Sequence, residues 1–176
     1  MKFKRLIAES KMRYEQQPHK VQPGFSVNIF YLGAKWMFFH LNDYRTEDFM
    51  ANYRSTNFAA FGILKYGICL AFSVLSFLWF LNVSIFWTPL SIILFYIIEV
   101  HFLFLFPLLL DKVKNPLLAS IKQTYRIGYL EVLITTILIG LFMIRGLFNL
   151  RDPLRNWHIG CLSIIIWYQD EVRNRI

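Results

Sequence analysis

Apolar positions along this chain gather into long runs broken by short polar or charged stretches, and the runs have helical rather than strand-like length. The first candidate helix lies in PGFSVNIFYLGAKWMFFHLND, where Lys35 is the only Lys or Arg. On a helix Asn28, Lys35 and Asn42 recur at seven-residue steps with Tyr31 between them, which makes a narrow polar stripe on a broad apolar body. Such a helix is expected along a membrane interface or packed on other helices. Thr46, followed by Glu47 and Asp48, reads as a further helix start, because the acids suit the positive end of a helix dipole.

Three runs are long enough to cross a bilayer. The first extends from about Asn57 to Leu81, with Lys65 near its start, from where its long stem reaches lipid headgroups. An uncharged connection, NVSIFWTPLS, supplies Trp87 as an interface anchor and Pro89 in the first turn of the next helix. The second run, about Phe86 to Leu110, contains Glu99 and His101, and Pro107 is expected to kink or loosen its end. A basic stretch follows (Asp111, Lys112, Lys114, Lys122, Arg126), then a third run from about Ile127 to Leu150, with Glu131 and Arg145 near its two ends. Asp152 before Pro153 starts the last helix. Its apolar part, WHIGCLSIIIWYQ, covers roughly 21 Å at 1.5 Å per residue and falls short of a hydrocarbon core of about 30 Å. A partial span, an interfacial helix and a helix buried against protein all fit that length.

The fold class expected is therefore an all-α integral membrane protein. It has three transmembrane helices, a fourth short apolar C-terminal helix and an N-terminal amphipathic interfacial helix. Residues 1–56 form the N-terminal polar segment with the interfacial helix, and residues 57–176 the helical membrane domain. The first twenty residues are basic and polar, with no apolar signal region. Bases flank the apolar runs and are missing between the first and second spans, so the N-terminus and the 111–126 loop are placed on one side, cytoplasmic or matrix. The bases at Arg151, Arg155, Arg173 and Arg175 do not fit three spans neatly.

Composition supports this class. Hydrophobic residues make up 56% and charged residues 17%, the latter below the roughly 25% usual for soluble domains. The net charge of +8 reads as positive-inside bias rather than nucleic-acid binding, since no basic patch is interleaved with exposed aromatics. The two cysteines, Cys69 and Cys161, sit in apolar stretches without metal-ligand spacing and read as buried thiols.

Candidate chemistry is confined to a few ionisable residues. Glu99 and His101 are two apart, roughly 200° around a helix, so they face different ways. A charge at that depth costs several kcal/mol, about 3 on insertion scales, unless it is neutralised, paired or wet. Tyr96 is the one polar neighbour on the Glu99 face and a hydrogen-bond candidate for it. Glu131 and His158 complete the intramembrane polar set, while Lys35, Lys65, Lys112, Lys114, Lys122 and Arg126 are expected at lipid headgroups. His101 and His158 read as satisfied core histidines rather than haem ligands. No cofactor or metal is expected, and no catalytic residue is identifiable. HLND at His40–Asp43 has the wrong spacing for an acyltransferase pair, and HExxH, a phosphate loop and a serine elbow are missing.

Two functions follow as expectations. One is a non-catalytic accessory subunit of a large multi-subunit membrane complex of respiratory-chain or ATP-synthase type. Its partners are membrane lipids and other membrane subunits, in a mitochondrial inner or bacterial cytoplasmic membrane. The other is a small membrane enzyme or transporter for a lipid or lipid-soluble substrate, with Glu99 and His101 in its cavity.

Overall fold

The computed structural model describes residues 2–16, 28–42, 49, 52–53 and 56–175. The helix start expected at Thr46, Glu47 and Asp48 lies outside the described residues, as does the Asn42 side chain. The described residues form helices and turns without strands.

Helix α1, Lys2–Gln16, was not expected from the sequence. Its apolar positions Phe3, Leu6 and Ile7, with Ser10 and Tyr14, recur at helical spacing and turn one face inward. Helix α2, Ile29–Asn42, occupies the segment with the narrow polar stripe. Ala34, Trp36, Phe38 and Leu41 are buried on it, so its apolar body is covered by other helices of the chain.

Three segments are long and apolar enough to cross a membrane: Phe58–Val83, Ile85–Leu110 and Tyr129–Leu147. The first is helix α3, whose first turn is capped by Asn57, with Oδ1 accepting from the Ala60 amide at 3.0 Å. The second is not one continuous helix. Helix α4, Leu90–Glu99, gives way to a 3-10 turn at Val100–Phe102, and helix α5, Leu105–Leu110, follows. Pro107 explains the break: it has no amide hydrogen for the Leu103 carbonyl, and its ring crowds that carbonyl. The kink thus falls a full turn before the proline, deeper than the segment end where the sequence suggested it. Freed and bent carbonyls there meet side-chain donors. The Thr124 hydroxyl donates to Val100 O at 2.7 Å, and the Tyr129 hydroxyl reaches Ile97 O at 3.5 Å.

All six residues of α5 are buried. Around it close α2, helix α6 (Pro116–Ile127) and helix α8 (Arg155–Glu171). A turn with left-handed Asn115 joins α5 to α6, and asparagine tolerates that region better than most residues. Helix α7, Tyr129–Leu147, follows α6 after Gly128, which holds φ 119 and ψ 106. An L side chain rarely adopts that conformation. Gly128→Ala is therefore expected to cost about 1–3 kcal/mol, read as a lowered thermal midpoint in detergent.

Helix α8 is the best-covered long element: Ile159, Leu162, Ile165, Ile166, Trp167 and Tyr168 are each at most 1% exposed. These side chains pack against other helices of the chain. Helix α1 runs antiparallel to α8. Arg5 pairs with Asp170 at 2.9 Å, Ser10 meets Ser163 at 2.9 Å, and Glu15 pairs with Arg155 at 2.8 Å.

Candidate functional site

Lys65 and Glu99 form a charged pair between the first two apolar segments. Lys65 lies two turns into α3 and Glu99 ends α4, where the chain loosens into the 3-10 turn. Their charged atoms stand 3.6 Å apart, with side chains only 6% and 15% exposed. Lys65, expected to reach lipid headgroups, has its ammonium beside the Glu99 carboxylate. Its ammonium turns inward because a buried carboxylate lies within reach, and leaving that carboxylate alone would cost more than burying the stem. Lys65 also lies over the Tyr66 ring, 5.0 Å from its centroid.

Tyr96 does not complete this pair. Its hydroxyl instead abuts Gly140 on α7, in space that only a residue without Cβ leaves open. Cys69, one turn after Lys65, is fully buried. Cys161 on α8 lies within the field of both Lys65 and Glu99, and burial pushes its thiol up to about 12. The thiol is therefore protonated at neutral pH.

His101 faces away from Glu99, as the spacing required. Its Nε2 is 3.2 Å from the Tyr125 hydroxyl and its Nδ1 3.3 Å from Ile98 O. The Tyr129 ring lies 5.5 Å from it and stacks on Tyr125. Glu131 is bound within the chain: Lys2 sits 2.6 Å from Glu131 and 2.7 Å from Glu171, and 5.1 Å from the Trp167 ring. The structure therefore brings Glu99 to Lys65, His101 to two tyrosines and Glu131 to the N-terminal helix, three separate places rather than one cavity.

His158 lies apart from these, with the Tyr14 ring at 6.3 Å and the Trp36 ring at 6.2 Å, and His40 lies 4.4 Å from Trp36. Burial lowers the His158 pKa below 6.5, against the opposing pulls of the Leu154 carbonyl and Asp152. The folded state thus takes up the proton less readily than the unfolded state. Stability is full above pH 6.5 and falls as pH drops through that value toward the lower folded pKa. His158→Gln is expected to flatten this dependence, measured by thermal unfolding in detergent at several pH values.

A further polar group was missed by sequence reasoning. Asp111 receives the Tyr168 hydroxyl at 2.7 Å and Arg173 at 3.1 Å, and Arg173 also donates to Leu41 O at 2.7 Å. This network ties the end of α5 to α8 and α2. Burial and the Asp111 bond raise the Tyr168 pKa, so its hydroxyl stays a donor. Of the remaining basic residues, Lys112, Lys114, Lys122 and Arg126 are exposed and Lys35 is half-buried. Lys112 donates to Asn52 at 3.2 Å. Among the described residues no group of three or more His, Cys, Asp and Glu side chains is placed to hold a metal ion.

Comparison of the chain with protein-family models, with curated proteins and with solved structures gives no match.

Proposed function

We propose that this chain is a non-catalytic accessory subunit of a large multi-subunit membrane complex, of respiratory-chain or ATP-synthase type, in a mitochondrial inner or bacterial cytoplasmic membrane. Its work is helix packing and lipid contact. The observation that supports this reading is that Glu99 is engaged by Lys65, His101 by Tyr125 and Glu131 by Lys2, each within the chain. Helix α3 turns apolar side chains outward, including Phe72, Leu75 and Trp79, suited to acyl chains and to neighbouring helices. Exposed Lys112, Lys114 and Lys122 supply headgroup contacts at one edge. Extraction in mild detergent tests the reading: the chain is expected to migrate with a complex many times its own 21.0 kDa. A discrete small oligomer contradicts it.

One observation favours a second reading, a small membrane enzyme or transporter for a lipid-soluble substrate. The second apolar segment breaks at Glu99 and His101, and broken helices at membrane depth line substrate paths in many transporters. Turnover or transport of a lipid by the purified chain, lost in Glu99→Gln without loss of folding, is the result that supports it.

A further inference from the structure

All nineteen Lys and Arg and all eleven Asp and Glu of this chain lie outside positions 66–98. That uncharged segment is a helical hairpin. It comprises α3 from Tyr66 onward, the turn at Ile85–Trp87, and α4. Tyr66 to Val83 rises about 27 Å at 1.5 Å per residue, close to a hydrocarbon core of about 30 Å. Its outer residues are apolar and open, with Leu75 at 66%, Phe86 at 89% and Ile92 at 57% exposed. The Lys65–Glu99 pair lies at its mouth, joining the first residues on either side that carry charge.

The third apolar segment is differently placed. Polar helix α1 runs beside α7 for much of its length: Lys2 pairs with Glu131, and the Lys11 ammonium lies 5.6 Å from the Phe142 ring centroid. Lys4, Lys11, Glu15 and Gln16 on α1 are exposed. A helix with that outer face cannot sit in acyl chains beside a spanning α7. On α7 itself, Tyr129 and Gly140 are about 16 Å apart along the axis, yet they meet Ile97 and Tyr96, adjacent residues of α4. This fits a helix lying across α4 near its inner end better than one running alongside it. The face of α7 turned away from α8 carries Leu130, Ile134, Leu141 and Ile144, all more than 40% exposed.

We infer that only the 66–98 hairpin crosses the bilayer, and that α7 lies along the membrane surface with its open apolar face in the interfacial lipid. The partner of that face is the bilayer, because it is continuous with the hairpin through the α4 contacts and opposed by the polar face of α1. Among the described residues the arrangement also places Lys and Arg on one side, including Arg145, Arg151, Arg155, Arg173 and Arg175, which three crossings would divide. This inference goes beyond the functional reading and holds for a subunit or an enzyme alike.

Side-specific labelling tests it. Single cysteines are introduced at Lys114, Asn149 and Asn82, all exposed, and sealed vesicles of one orientation are treated with a membrane-impermeant maleimide. Wild-type protein, with Cys69 buried and Cys161 half-buried, sets the background. Lys114→Cys and Asn149→Cys are expected to label from one face and Asn82→Cys from the other. Asn149 accepts a bond from the Arg151 amide, so Leu150→Cys, at a residue 95% exposed, is a second reporter for the same end of α7. Labelling of positions 149 and 150 on the side of Asn82 overturns the inference, since α7 then crosses and α1 needs a protein cover. Labelling of Asn82→Cys on the side of Lys114 overturns it too, because the hairpin then fails to cross.

Discussion

Lys65→Met is expected to destabilise the folded chain by about 3–5 kcal/mol, because it leaves the Glu99 carboxylate buried without its counter-charge. Glu99→Leu is expected to do comparable harm by stranding the Lys65 ammonium. The double variant, Lys65→Met with Glu99→Leu, removes both charges together and is expected to recover most of the loss, since a buried ion pair adds little over an apolar pair of similar volume. The signature is thus a coupling energy of several kcal/mol between residues 34 positions apart (99 − 65). Thermal unfolding in detergent of the four proteins of the cycle measures it. Additive losses mean that the two groups do not depend on each other.

The second large effect is expected at Trp167. Its ring is fully buried, with Phe104 edge-on at 5.7 Å and the Lys2 ammonium over its face, and its indole nitrogen donates to Glu171 at 3.3 Å. Trp167→Ala empties the space where α8, the α4–α5 break and α1 meet. A loss of about 3–5 kcal/mol is expected from lost burial and the cavity left behind. Trp167→Phe keeps most of the volume and loses the Glu171 bond, so it is expected to cost less. Equal midpoints for the alanine variant and the wild type would show that this junction is not part of the core.

The boundaries of the three apolar segments were legible because length and hydropathy alone decide them. Phe58–Val83, Ile85–Leu110 and Tyr129–Leu147 lie within a few residues of the ranges read from sequence. The presence of a kink was legible in Pro107, but its position was not, because the clash acts on the Leu103 carbonyl a turn earlier. Glu99 and His101 were separable from their spacing, since two residues on a helix face opposite ways. The pairing of Lys65 with Glu99 was not legible for a physical reason: a lysine near the start of a spanning run suits a headgroup as well as a buried acid, and only the packing of α3 on α4 brings the two together. Helix α1 was missed because charges at Lys4, Arg5, Glu9, Lys11 and Arg13 mask a short inward face. Its ties to α8 and α7 pair residues more than a hundred positions apart, and no local pattern carries such contacts.

The apolar middle of this chain is expected to reside in a bilayer. Washing membranes that contain the full chain with alkaline carbonate, then separating pellet from supernatant, tests it most directly. The chain is expected to stay wholly in the pellet and to enter solution only with detergent. Release into the supernatant as a soluble, monodisperse protein would contradict it.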